Sequence, residues 1–312
     1  MSSPPSTPSP AHSPAPSSAL PFGRLTTAMV TPFQPDGSLD LDACQKLAAH
    51  LVDGGNDALV LNGTTGEAPT TSDQEKVRIV QAVREAVGDR ARIVAGVGTN
   101  DTAHTIECAK QAEAAGADGL LVVTPYYNKP PQDGLRAHFT AVADATGLPN
   151  MLYDIPARSG VEIKTETLIA LAAHPRIVAV KDAKGDLAGT TKVLANTDLF
   201  YYCGADELNL ASLAIGAVGI ASVVAHVASR EYRQLIDAVV AGDLATAQQI
   251  DRRLVPAVEA IMTRTQGAIM VKAALRLAGV LEHATMRSPL IEATAEQVDR
   301  LTTDLKQAGL IA

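Results

Sequence analysis

Short, continuously apolar segments alternate with longer amphipathic segments along most of the chain. Continuous apolar character is typical of strands that are buried on both faces of a parallel sheet. The longer segments have apolar residues at helical spacing, and Ser72 followed by Glu75 is the pattern of a capped helix start. Eight strands are predicted, at residues 25–31, 58–62, 92–97, 119–124, 150–155, 177–181, 200–203 and 219–225. Helices between them are predicted at residues 40–53, 72–87, 102–115 and 132–145.

This alternation predicts the α/β class and, within it, a (β/α)8 TIM barrel. The structural alternative is an open doubly wound sheet, which normally carries a glycine-rich dinucleotide-binding turn after its first strand. Residues 29–33, which follow the predicted first strand, contain no glycine. The Gly-Val-Gly of residues 96–98 lacks the third glycine of that turn, so the barrel is favoured.

Further helices are predicted after the eighth strand, at residues 231–241, 244–263, 268–278 and 293–308. A barrel needs only one helix after its last strand, so the surplus predicts a C-terminal helical extension. We expect a barrel catalytic domain at residues 22–235 and the extension at residues 236–312. Residues 1–21 are nearly all Ser, Pro, Ala and Thr, a composition that predicts a disordered tail.

The bulk composition narrows the classes of partner. The formal net charge of −8 over 312 residues argues against nucleic acid or an anionic membrane as the main partner. No apolar run is long enough to span a bilayer, so we expect a soluble, cytoplasmic protein. Cys44, Cys108 and Cys203 are far apart in the sequence, which predicts buried free thiols and no metal site.

A single lysine, Lys181, ends the apolar run of the sixth predicted strand. In a TIM barrel the carboxyl ends of the strands form the active-site face. An ammonium in such a place must be paired, solvated or partly deprotonated, since burying an unpaired charge is costly. Lys181 is therefore a candidate Schiff-base nucleophile for a carbonyl substrate. The alternative is a strand-end lysine that is paired with the adjacent Asp182.

Other polar residues follow strands at the same edge of the predicted barrel. Thr64 and Thr65 follow the second strand, Tyr127 follows the fourth, and Tyr153 and Arg158 lie at the end of the fifth. Each has an ordinary interpretation, as turn chemistry, rim packing or a local ion pair. Together they describe a lysine that forms an imine with a keto acid, hydroxyl groups that relay protons, and an arginine that binds a carboxylate.

These motifs resemble those of the dihydrodipicolinate synthases, members of the pyruvate-dependent class I aldolase and N-acetylneuraminate lyase superfamily. The resemblance covers residues 22–312, and Asp154 after the strand tyrosine is typical of actinobacterial members. It implies a lyase that condenses pyruvate with L-aspartate 4-semialdehyde in lysine and diaminopimelate biosynthesis, without a cofactor or metal. The motifs that carry it are Thr-Ala-Met-Val-Thr-Pro-Phe at 27–33, Leu-Asn-Gly-Thr-Thr-Gly-Glu at 61–67, Val-Thr-Pro-Tyr-Tyr-Asn-Lys-Pro at 123–130 and Val-Lys-Asp-Ala at 180–183.

The resemblance also implies a role for each candidate residue. The implied catalytic residues are Lys181 as the imine-forming amine, Tyr153 as the proton shuttle, Thr64 as the relay and Tyr127 as a tyrosine that reaches the neighbouring subunit's site. The implied substrate-binding residues are Thr65 for the pyruvate carboxylate, Arg158 for the semialdehyde carboxylate, and Gly204 and Ala221 as the lining of the lysine pocket. The shared tyrosine implies a homo-oligomer, expected to be a tetramer built as a dimer of dimers.

Two other functions remain open from the residues alone. One is a pyruvate aldolase that acts on a sugar-derived aldehyde, and the other is a non-catalytic barrel that binds a keto acid. Strand alternation predicts that Asp154 points away from the tyrosine before it, and Lys184 is expected to be fully solvated. Lys76 and His104 stand where lysine-inhibited relatives have a histidine and a glutamate, so weak or absent feedback inhibition is predicted.

Overall fold

A computed structural model describes residues 20–311, and its centre is a closed barrel of eight parallel strands. Each strand pairs with the next in sequence, and the eighth pairs with the first. The predicted TIM barrel is therefore confirmed. The strands are β1 (Leu25–Ala28), β2 (Ala58–Leu61), β3 (Arg92–Gly96), β4 (Gly119–Val123), β5 (Asn150–Asp154), β6 (Ile177–Asp182), β7 (Phe200–Cys203) and β8 (Gly219–Ser222).

Several strands end earlier than the apolar pattern predicted. The clearest case is β8, predicted to run to residue 225, which ends at Ser222. The backbone N–H groups of Val223 and Val224 donate to the carboxylate of Asp206, at 2.8 and 3.1 Å, instead of to a neighbouring strand. The apolar character of these residues serves packing, because both are buried outside the sheet.

The helices in the first two thirds of the chain surround the barrel, as expected. The predicted capping box is present, since the Ser72 hydroxyl accepts from the Glu75 N–H and the Glu75 carboxylate accepts from the Ser72 N–H. The helices that alternate with the strands are α1 (Leu41–Asp53), α2 (Asp73–Val87), α3 (Thr102–Ala114), α4 (Gln132–Asp144), α5 (Pro156–Ser159), α6 (Thr165–Leu171), α7 (Leu187–Leu194) and α8 (Asn209–Ala214).

Four more helices follow β8, namely α9 (Ala225–Val240), α10 (Leu244–Met262), α11 (Gly267–Leu277) and α12 (Ala295–Gln307). The start of α9 was predicted at residue 231 but lies at Ala225, whose N–H donates to the hydroxyl of Ser222 at 2.9 Å. The division into a barrel at 22–235 and an extension at 236–312 stays a prediction, and α9 runs across it. The tail predicted at 1–21 lies outside the described residues except for Leu20, which is buried, and Pro21.

Two apolar layers fill the fold. The larger one lies between the strands and the surrounding helices, and it includes Cys44, Cys108 and Cys203, which are buried free thiols as predicted. The smaller layer fills the barrel interior and contains Phe22, Ala58, Val60, Val94, Leu121, Met151, Tyr153, Ala179, Tyr202 and Ala221. Among the described residues no helix combines the length and apolar character needed to cross a membrane.

Candidate active site

Lys181 lies on β6 at the carboxyl end of the barrel, in register with Tyr153 of β5 and Tyr202 of β7. Its side chain points into the barrel, and the residue is only 4% exposed. The Nζ atom lies 4.6 Å from the centre of the Tyr153 ring. Burial lowers the pKa of Lys181 to about 8, with the nearby Asp206 acting in the opposite direction. A larger share of this amine is therefore neutral at physiological pH than of a solvated lysine.

Asp182 does not pair with Lys181, because the two side chains lie on opposite faces of β6. The Asp182 carboxylate accepts from the N–H groups of Lys184 and Gly185, at 2.7 and 3.1 Å, and from the Thr190 hydroxyl at 2.9 Å. All three partners lie between the barrel and the outer helices. The alternative in which Asp182 neutralises a strand-end lysine is therefore wrong.

Gly204 provides the space that Lys181 occupies. Its N–H donates to the backbone oxygen of Asp182 at 2.7 Å, which brings the loop after β7 against the lysine stem. A Cβ atom at position 204 would lie 2.9 Å from Cγ and 3.0 Å from Cε of Lys181. These distances are closer than packed carbon atoms tolerate, so only glycine leaves the lysine in its present position. The structure thus places Gly204 beside the lysine, where it was predicted.

Ala221 lies on β8 within the interior layer and is fully buried. It pairs with Thr26 of β1 in the parallel ladder. Its small side chain belongs to the same apolar layer as Tyr153, at the side of the barrel opposite β4 and β5 in strand order. The backbone role predicted for Ala221 stays a prediction.

Thr64 and Thr65 lie in the turn that follows β2. Burial raises the pKa of Tyr153, while the charge of Arg158 and the nearby hydroxyl of Thr64 lower it. Thr65 is buried, and Gly66 accepts from the Thr31 hydroxyl at 2.7 Å. The structure therefore brings Thr64 and Tyr153 to the same groove, and the relay between them stays a prediction.

A groove of about 980 Å³ opens above these residues and gives access to the barrel. Tyr153 and Thr64 lie at its base, while Arg158 and Tyr127 line its rim. Arg158 is exposed on α5, and its charge acts on both Tyr153 and Lys181, since it lowers the pKa of each. Tyr127 is 88% exposed and has a positive φ of 74°, so its side chain extends from the groove rather than into it.

Asp154 points away from Tyr153, as strand alternation predicted. Its carboxylate accepts from the Ile163 N–H at 3.1 Å and lies 3.3 Å from the Lys184 ammonium. The expectation that Lys184 is fully solvated is wrong, because its side chain is only 12% exposed and also approaches Glu162 at 3.6 Å. Asp154 is almost completely buried, and this buried charge holds the lysine against the barrel wall instead of in solvent.

Asp206 is a functional candidate that sequence reasoning missed. It is buried, follows β7 by three residues, and its charge raises the pKa of Lys181 against the larger lowering effect of burial. Its Oδ1 atom accepts from Asn209 at 3.0 Å and from Ser222 at 2.5 Å, so the carboxylate is fixed by neutral donors. Its position after a strand end was the available signal, but the sequence analysis stopped at Gly204.

Lys76 and His104 meet at the far end of the groove, with Asp73 between them. The Asp73 carboxylate lies 3.3 Å from the Lys76 ammonium and 2.8 Å from the His104 ring. Asp73 and His104 also lie close to Cys108, and within residues 20–311 this is the set of three side chains spaced like metal ligands. The ammonium of Lys76 already neutralises the carboxylate, which opposes a cation at this place.

The residues at the barrel mouth agree with the family that the sequence resembles. A model of the dihydrodipicolinate synthetase family matches residues 21–308. The chain belongs to the dihydrodipicolinate synthetase family. Membership confirms the predicted family and makes the protein an enzyme, a lyase of the Schiff-base-forming kind.

Relatives within the family cover nearly the whole chain. A 4-hydroxy-tetrahydrodipicolinate synthase of Kineococcus radiotolerans is 63% identical over 290 residues, which are 93% of this chain and 94% of the relative. 4-hydroxy-tetrahydrodipicolinate synthase 2 of Streptomyces coelicolor is 60% identical over 93% of this chain and 96% of its own. The crystal structure of the Cyanidioschyzon merolae enzyme with lysine bound superimposes with a TM-score of 0.90, at 40% identity, and covers 93% of this chain and 99% of its own.

Proposed function

We propose that the protein condenses pyruvate with L-aspartate 4-semialdehyde, the 4-hydroxy-tetrahydrodipicolinate synthase reaction, on Lys181. The observation that carries this assignment is a buried amine at the carboxyl edge of the barrel, with its pKa lowered to about 8 and no carboxylate in direct contact. At pH 7 about one tenth of such an amine is neutral, against less than one part in a thousand for an ordinary lysine. The neutral amine is the nucleophile that imine formation requires.

The first half of the reaction needs only an amine, an acid and a base. The Nζ atom of Lys181 attacks the keto carbon of pyruvate, and the carbonyl oxygen leaves as water after two protonations. The resulting protonated imine withdraws electrons from the neighbouring methyl carbon, which loses a proton and becomes an enamine. The imine nitrogen is the electron sink, and for this reason we propose that the reaction uses no cofactor and no metal.

Tyr153 and Thr64 are placed to move these protons. The Tyr153 ring lies 4.6 Å from Nζ, and the Thr64 hydroxyl lies near enough to the phenol to lower the pKa of Tyr153. Each hydroxyl can donate and accept at once, so a proton released at the imine passes along the pair. Tyr127 completes this relay in the proposal, supplied by a second copy of the chain. Its high exposure is consistent with a side chain that acts outside its own subunit.

The second half of the reaction joins the two substrates. The enamine carbon attacks the aldehyde carbon of the semialdehyde, and a carbon–carbon bond forms. The aldehyde oxygen takes up a proton and becomes a hydroxyl group, while the enamine returns to the protonated imine on Nζ. The amino group of the semialdehyde then displaces Nζ from the imine carbon, which closes the ring and frees the lysine. Thr65 is proposed to hold the pyruvate carboxylate, and Arg158 to bind the carboxylate of the semialdehyde, because the planar guanidinium at the groove entrance suits a bidentate contact.

A steady-state assay with two aldehydes tests this proposal. With pyruvate present, L-aspartate 4-semialdehyde should be consumed, and a sugar-derived aldehyde should not. The Arg158→Ala variant should lose roughly a hundredfold in kcat/KM for the semialdehyde, while borohydride still traps pyruvate at the parental rate. Preference for the sugar-derived aldehyde would replace the proposal with a different pyruvate aldolase, and unchanged turnover in the variant would remove Arg158 from its role.

We also propose that lysine inhibits the enzyme weakly or not at all. The Lys76 ammonium already occupies one side of the Asp73 carboxylate, and His104 occupies the other. A free lysine would bring its own α-ammonium to a place where the Asp73 carboxylate is already paired. Titration of lysine into the steady-state assay measures this directly, and half-inhibition at micromolar lysine would contradict it.

The remaining features of the proposal concern assembly and location. We propose a homo-oligomer, a tetramer built as a dimer of dimers, in which Tyr127 crosses the dimer interface. We propose a cytoplasmic location, because the substrates are products of central metabolism and the three cysteines are unpaired.

A further inference from the structure

The turn that carries Thr64 and Thr65 has an unfavourable backbone conformation at both ends. Asn62 and Glu67 each have a φ of 56°, in the left-handed region that residues with a side chain rarely adopt. Such a conformation persists only when surrounding contacts impose it. The position of the Thr64 hydroxyl against Tyr153 therefore depends on what holds the two ends of this turn.

Glu67 is held by the C-terminal part of the chain. Its side chain is 1% exposed, and Oε1 lies 2.5 Å from Nζ of Lys272, which is fully buried in the middle of α11. The second carboxylate oxygen accepts from the N–H of Arg287 at 3.0 Å. The Lys272 ammonium also donates to the backbone oxygen of Thr285 at 2.7 Å and lies 4.4 Å from the centre of the Phe33 ring. The ammonium therefore donates to a carboxylate and to a backbone oxygen, and it also lies against an aromatic ring.

Arg287 fixes the segment that follows the turn. Its guanidinium donates to the backbone oxygens of Gly37 and Thr70, at 2.9 and 2.8 Å. The same group forms a bidentate pair with the Glu75 carboxylate, at 2.8 and 2.6 Å, near the start of α2. Because Thr70 and Glu75 lie directly after the turn, Arg287 ties its carboxyl side to the same C-terminal segment.

The ion pair between Glu67 and Lys272 joins two segments that are far apart in the sequence. Glu67 and Lys272 are 205 positions apart, and the barrel strands close without any residue of α11. A buried ion pair is a costly way to attach a helix, since apolar side chains of similar size usually serve as well. The ion pair also fixes the orientation of the Glu67 carboxylate, because each of its two oxygens accepts from a separate donor.

We propose that Lys272 and Arg287 are positioning residues for the condensation, which act by holding Glu67 and thereby the Thr64–Thr65 turn over Lys181. The C-terminal helices thus set the geometry of the proton relay and of the pyruvate carboxylate site. Neither residue contacts the reacting atoms. This inference rests on the proposed function, since it assigns roles to the same two threonines.

The double variant Glu67→Gln/Lys272→Met tests the proposal, because it removes both buried charges together and leaves no unpaired ion. The matched control is Asp304→Asn/Arg264→Met, which removes the ion pair between Arg264 and Asp304, in contact within the same C-terminal region. Both variants should fold, as judged by a cooperative urea transition. The double variant at Glu67 should lose roughly ten- to hundredfold in kcat, with a raised KM for pyruvate.

The KM for the semialdehyde distinguishes a displaced Thr64–Thr65 turn from a disruption of the whole active site. Arg158 lies on α5, which the ion pair does not touch, so this KM should stay within about twofold of the parent. Values of kcat and pyruvate KM equal to those of the control would overturn the proposal. If the double variant does not fold, Glu67→Asp, which keeps both charges and shortens the side chain by one methylene, is measured in the same way, and parental kinetics there would also overturn it. The same assay on the parent protein tests the proposed function separately. A parent that does not condense the two substrates contradicts that function and not the positioning role.

Discussion

Lys181 is buried but lies next to the groove at the mouth of the barrel. The barrel wall removes nearly all of its side chain from water, which favours the neutral amine. Tyr153, whose ring lies 4.6 Å from the Lys181 Nζ atom, lines the groove at the barrel mouth. The charge of Asp206 opposes this effect by favouring the charged form of the lysine, and Asn209 and Ser222 fix the position of its carboxylate. The balance leaves an amine that titrates near physiological pH.

Gly204→Ala tests how closely the lysine pocket is fitted. The added Cβ would lie 2.9 Å from Cγ of Lys181 and 3.1 Å from the backbone oxygen of Asp182, so the lysine stem must shift. We expect the rate of pyruvate trapping by borohydride to fall roughly ten- to hundredfold, as misplacement of a reacting atom does in other sites. Gly147→Ala is the control, because the nearest atom to a Cβ there is 3.5 Å away. Parental trapping rates in both variants would contradict the fitted pocket.

At the scale of the elements, strand alternation separates two kinds of charge. On β5 and β6, Tyr153 and Lys181 face the interior, while Asp154 and Asp182 face the outer helices. Outside the barrel, the Lys184 ammonium lies between the carboxylates of Asp154 and Glu162. A shift of one position along a strand therefore moves a side chain from the barrel interior to the layer between the barrel and the helices.

Asp154→Asn tests the supporting role through its pH dependence. Burial raises the pKa of Asp154 to about 6 from an unfolded value of 3.8, with the charge of Lys184 opposing the rise. Between these two pH values the folded chain keeps a proton that the unfolded chain has released, so this group's contribution to stability falls as pH rises. The variant lacks that titration, so its stability relative to the parent should increase from about pH 4 to about pH 6 and then stay constant.

Urea denaturation at several pH values measures this difference. Turnover of the Asp154→Asn variant should stay within about threefold of the parent, because the side chain points away from the reacting groups. A constant difference in the free energy of unfolding across the range would contradict the raised pKa. A loss of activity comparable to that expected for Gly204→Ala would contradict the assigned orientation.

The sequence predicted most of this architecture, since continuous apolar runs and helix caps are local signals. It located Lys181, Tyr153, Thr64 and Gly204 at one edge, because the carboxyl ends of parallel strands share that edge. It could not locate contacts between distant segments, such as the pair of Glu67 with Lys272. The solvation of Lys184 was misjudged for the same reason, because its partners Asp154 and Glu162 lie at the end of β5 and in the loop that follows it.

At the scale of the whole molecule, the proposed function assigns the exposed Tyr127 to the site of a second chain. Its side chain is 88% exposed, and its backbone has a strained φ of 74° that fixes the direction in which the ring projects. Lys272 of α11 is paired with Glu67, through which we propose that the C-terminal region positions the same site. Catalysis is therefore expected to depend on the assembly and on the full length of the fold, as well as on the barrel.

Mixing two inactive variants tests the contribution of a second chain. Lys181→Ala lacks the nucleophile, and Tyr127→Phe is expected to lose at least tenfold in kcat because the relay is broken. A mixed dimer has one site with an intact lysine and a partner's intact tyrosine, so unfolding and refolding the variants together should restore roughly a quarter of parental activity. Sedimentation would verify that dimers or tetramers form. No recovery in refolded mixed oligomers would contradict a shared site.

The central claim is that Lys181 forms an imine with pyruvate, and mass spectrometry of the borohydride-reduced complex tests it most directly. Proteolysis should yield a peptide that contains Lys181 and carries the added mass of pyruvic acid less one oxygen atom. The Lys181→Ala variant should give no adduct, because the other buried amines, Lys184 and Lys272, are held by carboxylates. A modified peptide without Lys181, or no modification of the parent protein, would contradict the account.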